Sequence, residues 1–212
     1  MTITTKPQWN LRRLFGEILS QILNVPVMTG LLVFYLYMKL PADAPNRLPA
    51  FLITLLFLSI IPLCSLFFYI PGHEKEREKI IHRQRVASFI FMAVSYPVGA
   101  LALYLMDSPR IFTATAMSYT LITLGLIIFN LFMHYKASGH AAGVAGPVAS
   151  LIYLYGWMAS PLLALLPIVT WARVMAKGHS TWQMIVGATL SLAIAVAVLY
   201  VYGFTPFTGH LY

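Results

Sequence analysis

Charged side chains are scarce in this sequence: they make up 9% of the 212 residues, whereas 59% are hydrophobic. A water-soluble surface on a protein of this length could hardly be built from so few charges. The composition therefore excludes an ordinary soluble domain and indicates that lipid is the main solvent. No soluble domain, internal repeat or low-complexity linker is evident along the chain.

Cysteine is almost absent as well. The single cysteine, Cys64, lies inside an apolar run, so an internal disulfide is excluded. A lone thiol in such a run indicates neither a zinc cluster nor a cysteine nucleophile. The repeated ten-residue alternation of polar and apolar residues that a membrane β-barrel requires is also lacking.

What the sequence has is a series of apolar runs, each suited to cross a bilayer core of about 30 Å as a helix. These runs predict an all-α, polytopic bundle of transmembrane helices, in which residues 1–212 form a single domain. The predicted spans are Ile22–Met38, Ala50–Ile70, Ala87–Met106, Phe112–Phe132, Ala141–Trp157, Pro161–Met175 and Thr181–Tyr202.

The fifth and sixth spans depend on a predicted break. One helix over Ala141–Ala172 would be about 48 Å long at 1.5 Å per residue, well beyond the bilayer core. The segment from Gly156 to Pro161 offers a turn that divides this run in two and returns the chain to its starting side. The count is then seven spans, or six if one short segment is only partly inserted.

Basic residues are distributed unevenly between the two sides of the predicted bundle. With seven spans, eleven of the fourteen lysines and arginines fall on the amino-terminal side. The positive-inside rule then places the amino terminus and these loops in the cytoplasm, with the cell membrane as the expected location. If the same residues bind phosphate, however, their position on one side of the membrane reflects that function, and the positive-inside rule does not apply to them.

The net charge of +8 does not point to nucleic acid. The basic residues lie between membrane spans rather than along a soluble face with interleaved aromatic residues. Anionic lipid headgroups and phosphate are the expected partners, and the oligomeric state is left open.

Polar residues form three islands on this one side, at residues 73–85, 136–140 and 173–183. In the third island, Arg173 ends one span and His179 begins the next. This pair predicts a phosphate-binding guanidinium beside an imidazole that could act as a nucleophile. The alternative is that Arg173 is only a cytoplasmic anchor and His179 only a helix-start residue.

The second island contains Lys136, Ser138, Gly139 and His140 at the start of a helix rich in small residues. The free amides and the dipole at such a start favour an anion, and His140 would be placed to act as a general acid. The alternative is an interfacial histidine beside a helix whose small residues serve close packing.

Taken together, Ser138-Gly139-His140 and Arg173-x5-His179 resemble the signature motifs of the type 2 phosphatidic-acid phosphatase superfamily. The resemblance covers about residues 137–187 and includes the helix that follows His179. It implies a metal-independent lipid phosphatase without a cofactor, whose active site lies at one membrane surface. The substrate class would be a polyprenyl diphosphate or a phosphatidic-acid-type lipid phosphate.

The same resemblance implies roles for individual residues. His179 would attack the phosphorus and form a phosphohistidine, His140 would protonate the leaving group, and Arg173 would hold the nonbridging oxygens. Further phosphate-binding residues would be Lys136, Ser138 and Gly139, together with residues of the first island.

The chain departs from the superfamily pattern at two places. Gln183 stands where an aspartate usually orients the nucleophilic histidine, and no acidic residue follows Asp107. Glutamine at this position resembles the dolichyl-diphosphatase-like, polyprenyl-type branch, and an inactive relative that binds anionic lipid is the alternative. The first motif lacks its usual Arg-Pro, and its nearest analogue is Lys79-x5-Arg85 within residues 75–85.

Two polar features near these islands have simpler interpretations. The alternating charges of residues 74–79 could form a solvated, self-paired loop rather than a phosphate site. Asn130, inside the fourth span, could join helices by hydrogen bonds or face the site, and the first role is the more common one.

Overall fold

The computed structural model describes residues 11–68, 77–133, 135–176 and 178–211. The regular structure of these residues is entirely helical. The α-helices are α1 Leu11–Ile22, α2 Val25–Lys39, α3 Arg47–Leu55, α4 Ile61–Leu63, α5 Arg77–Leu105, α6 Arg110–Ile127, α7 Gly139–Tyr155, α8 Leu165–Met175 and α9 Thr181–Val201. Leu56–Ile60 and Ile128–Phe132 are π-helical, and Cys64–Phe68 and Gly156–Ala164 are 3-10 helices.

Five segments of the described chain are long and apolar enough to cross a membrane. They are Arg47–Phe67, Arg83–Leu105, Arg110–Phe132, Gly139–Met175 and Thr181–Val201. The apolar helix α2 is shorter, with 15 residues. The all-helical fold with several segments able to cross a membrane is thus confirmed, whereas the count of seven spans stays a prediction.

The predicted break in the long apolar run is present. Helix α7 ends at Tyr155, and Gly156 adopts a φ of +67°, a conformation that favours glycine because it has no Cβ. A Cβ at this position would also lie 3.1 Å from the ring of Phe207. A 3-10 segment over Gly156–Ala164 then leads into α8, which packs back against α7.

Helix α7 lies at the centre of the bundle, and its small residues allow neighbouring helices to approach closely. A Cβ on Gly143 would lie 2.6 Å from Val25 of α2, and one on Gly146 would lie 2.8 Å from the Ser191 hydroxyl of α9. That hydroxyl donates a hydrogen bond of 2.7 Å to the carbonyl of Ala142. Close contact of this kind stabilises helix pairs in lipid, where the hydrophobic effect between helices is absent.

The carboxyl-terminal segment caps the end of α7. Phe207 N–H donates to the carbonyl of Tyr153, and Gly209 N–H donates to the carbonyl of Leu154, both at 2.8 Å. The Tyr153 hydroxyl in turn donates to the carbonyl of Phe204 at 2.8 Å. Two of the carbonyls that a helix end leaves without intrahelical donors are satisfied in this way.

Helix α1 was not among the predicted elements. It lies along α8, where a Cβ on Gly16 would come within 3.0 Å of the carbonyl oxygen of Ala172. Phe15 and Trp171 meet edge to face with ring centroids 6.1 Å apart. The short, amphipathic α1 therefore covers the end of α8 that leads to the predicted site.

Candidate active site

The two predicted histidine motifs contact each other directly. Ser138, the buried N-cap of α7, donates its N–H to the carbonyl of Gln183 in α9 at 3.0 Å. One turn further on, Gly187 packs on the Ser138 backbone, where a Cβ would lie 3.0 Å from the Ser138 nitrogen. The starts of α7 and α9 are thereby held together, and His140 and His179 flank this contact.

The His179 imidazole is oriented by Gln183 and the cap of α9. Ser180 N–H donates to Gln183 Oε1 at 3.1 Å, and His179 Nδ1 lies 3.1 Å from the same oxygen. Because a backbone N–H can only donate, the atom it faces is the amide oxygen rather than the amide nitrogen. Nδ1 must then carry the proton, and Nε2 keeps its lone pair.

The surroundings of His179 also favour the neutral imidazole. Burial first, and then the positive charge of Arg173, lowers the pKa of His179 to about 4, although the hydrogen bond with Gln183 acts in the opposite direction. Arg85 and Lys136 contribute to the decrease through their charges. Near neutral pH, therefore, Nε2 is an unprotonated nitrogen next to several cations.

Arg173 is held at the end of α8 by contacts with two other segments. Its Nη1 donates to the Ser20 hydroxyl of α1 at 3.0 Å. Its carbonyl accepts from Gly178 N–H at 2.9 Å, and a Cβ on Gly178 would lie 2.7 Å from Arg173 Cζ. The absence of a side chain at residue 178 thus leaves the space that the guanidinium occupies beside His179.

His140 is the second residue of α7, and its imidazole interacts electrostatically with Arg173, His179 and Arg85. These four side chains therefore belong to one cluster at the amino-terminal end of α7. Lys136 is exposed at the rim of the cluster, close enough for its charge to act on His179. Members of all three predicted islands are brought together here.

The first island is described only in part. Arg85 lies in α5, and its Nη2 donates to Asn130 Oδ1 at 2.8 Å. Residues 73–76 and the side chain of Lys79 lie outside the described residues, as does Lys177 of the third island. Of the proposed Lys79-x5-Arg85 pair, the arginine is thus placed in the cluster.

Ser138 and Gly139 begin the helix whose amino-terminal end faces this cluster. Ser138 Oγ accepts from Ala141 N–H at 3.4 Å, which orders the first turn of α7. The next amides, of Gly139 and His140, belong to the same helix start, where the peptide dipoles present partial positive charge. With Arg85, Lys136 and Arg173 nearby, the arrangement suits a bound phosphate with an imidazole nucleophile beside it.

Two residues that contact the cluster were not predicted as site residues from the sequence. Ser20 contacts Arg173 but belongs to α1, whose apolar residues recur at helical spacing and could have indicated an amphipathic helix. Asn130 joins helices, as the more common role predicts, but the partner it holds is Arg85 of the cluster.

Other features of the described chain lie away from this cluster. Two apolar clefts, of about 210 and 250 Å³, lie between helices and include none of its side chains. Within the described ranges, no group of three or more His, Cys, Asp and Glu side chains is placed to hold a metal ion.

Comparison with known proteins finds no match for the chain among protein-family models, curated proteins or solved structures. Any assignment of function therefore depends on the motifs and on the geometry of the cluster.

Proposed function

We propose that this chain is an integral membrane lipid phosphatase related to the type 2 phosphatidic-acid phosphatase superfamily. The observation that carries the proposal is the oriented, neutral imidazole of His179, hydrogen-bonded through Nδ1 to Gln183 and surrounded by cations. A nucleophile of this kind beside a phosphate-binding cluster suits phosphoryl transfer, in which positioning and charge stabilisation supply most of the catalysis.

In the proposed reaction, the lone pair of His179 Nε2 attacks the phosphorus while the bond from phosphorus to the leaving oxygen breaks. His140 donates a proton to that oxygen, and the bound phosphate, by its negative charge, favours the protonated form of His140. Water then attacks the phosphohistidine, with His140 accepting a proton, and inorganic phosphate leaves. The guanidinium groups of Arg173 and Arg85 would stabilise the nonbridging oxygens.

The substrate we propose is a polyprenyl diphosphate or a phosphatidic-acid-type lipid phosphate. Its headgroup would lie in the cationic cluster at the helix ends, and its hydrocarbon tail would stay in the lipid around the apolar helices. Such a substrate explains why the cluster is next to segments that are able to cross a membrane.

The proposed topology has seven spans. The five long segments give this number if α2 also crosses and if Gly139–Met175 crosses twice, reversing at its 3-10 segment. The excess of basic residues on one side would place the amino terminus and the cluster in the cytoplasm, at the cell membrane.

A second candidate function is a non-enzymatic relative that binds anionic lipid without cleaving it. The neutral side chain of Gln183 favours this candidate, because an amide cannot stabilise an imidazolium by charge as an aspartate does. The binding cluster would be the same, and only turnover would be lost.

Phosphate release by the purified protein in detergent separates the two functions. We expect the wild type to release inorganic phosphate from a lipid phosphate without added magnesium, and His179→Ala to lower the rate by at least about 10³-fold. Phosphohistidine is labile in acid. The phosphorylated enzyme should therefore be trapped and detected at alkaline pH, and no acid-stable phosphoprotein is expected. His210→Ala, which alters an exposed histidine of the terminal segment, is the control. Full activity of His179→Ala would contradict the mechanism, and an inactive wild type that binds these lipids would favour the second candidate.

A further inference from the structure

Asn130 lies in the middle of the π-helical segment Ile128–Phe132, which continues α6 toward the cluster. Such π-helical turns inside α-helices are rare and are frequently found at functional sites, because they redirect side chains. In this chain, the segment carries an amide side chain that accepts a hydrogen bond from an arginine of the cluster. The π-helical segment is therefore a candidate for a role in the site.

The Asn130 side chain uses both ends of its amide. Its Oδ1 accepts from Arg85 Nη2 at 2.8 Å. Its Nδ2 donates to the carbonyl of Leu126 at 2.7 Å and, at 3.4 Å, to the carbonyl of Ala137. Since a guanidinium only donates and a carbonyl only accepts, these partners fix which end of the amide faces which group.

This geometry connects three parts of the site. Arg85 belongs to α5, Leu126 anchors the amide to α6, and Ala137 immediately precedes Ser138, the N-cap of α7. One side chain thus sets the position of a cation relative to the helix start that faces it. Without such a tether, the long arginine side chain would sample many rotamers, each with a different guanidinium position.

Arg85 is itself placed to act on a substrate. It is partly buried, and its charge acts on both His140 and His179. In the part of the chain that the structure describes, Asn130 is its hydrogen-bond partner and contacts Nη2. A planar guanidinium held at one edge presents its opposite edge for bidentate contact with a phosphate.

We propose that Asn130 is a positioning residue, which aims the Arg85 guanidinium at the phosphate of the substrate. The inference rests on the proposed phosphatase function for its catalytic consequence, but the phosphate contact itself can be tested without turnover. Asn130 does not touch the phosphate; it acts through Arg85.

A double-mutant cycle tests this coupling. We expect Asn130→Leu and Arg85→Ala each to lower kcat/KM for a lipid phosphate by about 10- to 100-fold, as the loss of one aligned charged donor does. The double variant should then be no worse than Arg85→Ala alone, because Asn130 has nothing left to position. Effects that multiply in the double variant would overturn the proposal.

Two further variants separate positioning from stability. Thr120→Val removes a hydrogen bond of the same kind in α6, from a side chain to the carbonyl one turn back, and should leave kcat/KM within about twofold of the wild type. Asn130→Thr can keep the bond to Leu126 but is too short to reach Arg85, so it should resemble Asn130→Leu. Wild-type kinetics in Asn130→Thr would contradict the proposal even if Asn130→Leu fails to fold.

Binding of inorganic phosphate, measured by calorimetry on the detergent-solubilised full chain, distinguishes this proposal from the proposed function. The phosphatase assignment fails if the wild type binds inorganic phosphate but cleaves no lipid phosphate. The positioning role still stands in that case if Asn130→Leu and Arg85→Ala each weaken phosphate binding by a similar factor and the double variant binds no more weakly than Arg85→Ala. If the wild type does not bind phosphate, or Asn130→Leu binds it as tightly as the wild type, the positioning role is overturned.

Discussion

Gln183 determines the orientation and the tautomer of the His179 imidazole. Its side-chain oxygen receives hydrogen bonds from the backbone of Ser180 and from His179 Nδ1, so one amide both caps α9 and orients the imidazole. An aspartate in this position would orient the ring equally well but would add a negative charge. The glutamine therefore keeps the orientation and omits the charge that favours an imidazolium.

The pH dependence of turnover should reflect this difference. Below a pH of about 4, the His179 imidazole of the wild type takes up a proton and loses its nucleophilic lone pair, so kcat/KM should fall there rather than near pH 6.5. Gln183→Asp should raise the pKa of His179 and move this acidic limb upward by about 1 to 3 pH units.

The measurement is kcat/KM for a lipid phosphate between pH 3.5 and 8. Ser180→Ala is the matched control, because it removes the hydroxyl cap of α9 but keeps the amide partner of the imidazole. An acidic limb at the same pH in the wild type and in Gln183→Asp would show that residue 183 does not control the nucleophile.

At the scale of helices, the site depends on how closely the start of α9 approaches the start of α7. The hydrogen bond from Ser138 to the Gln183 carbonyl requires backbone contact, and Gly187 provides it because it has no Cβ. The contact is made by rigid backbone on both sides, so neither helix can yield without moving a histidine. The packing of this helix pair therefore sets the relative position of the two histidines of the candidate site.

Gly187→Ala should therefore impair both activity and stability. The added Cβ would force the Ser138 backbone away, and we expect kcat/KM to fall by about 10²-fold and the free energy of unfolding by about 1 to 3 kcal/mol. Phosphate release and thermal unfolding in detergent measure these two effects.

Gly125→Ala provides the matched control within α6. Its Cβ would meet the ends of the Leu190 and Ile194 side chains, at 3.2 and 3.5 Å, and no backbone within that distance. Because these side-chain ends can move, the variant should retain activity and gain up to about 1 kcal/mol from helix propensity. Equal losses of activity in the two variants would mean that the α7–α9 contact has no special role.

At the scale of the whole molecule, the site exists because the chain reverses between α7 and α8. His140 lies in the first turn of α7 and Arg173 in the last turn of α8, yet their side chains interact. The reversal occurs in the 3-10 segment that follows Gly156. If both residues lie at the same membrane surface, the chain between His140 and Arg173 must cross the membrane an even number of times.

Thiol labelling of single-cysteine variants tests this topology. After Cys64→Ala, we expect Tyr135→Cys and Ala176→Cys to react with an impermeant reagent from the same side of the membrane, and Ser108→Cys and Met158→Cys to react from the opposite side. Met158 is 91% exposed and lies in the 3-10 segment, so it reports on the reversal directly. Labelling of residues 135 and 176 from opposite sides would exclude the seven-span topology.

Much of the fold could be predicted from local sequence. The segment Arg110–Phe132 agrees closely with the predicted Phe112–Phe132, and Thr181–Val201 with Thr181–Tyr202, because the hydropathy of a 20-residue stretch depends on that stretch alone. A break within Gly156–Pro161 was also predicted, since the length of a helix and the presence of a turn are local properties; α7 ends at Tyr155, two residues before the predicted end of the span at Trp157. Helix α1 was missed because it packs on α8 through an apolar stripe rather than a continuous apolar run.

The amino-acid sequence by itself determined which segments are helical and which residue types stand at their ends, including His140, Arg173 and His179. Only the tertiary structure decided which of these residues meet. The contacts of Arg85 with Asn130 and of Arg173 with Ser20 join residues 45 and 153 positions apart. The physical reason is that such contacts follow from the packing of whole helices, in which one glycine or one turn changes the distance between side chains far apart in the chain.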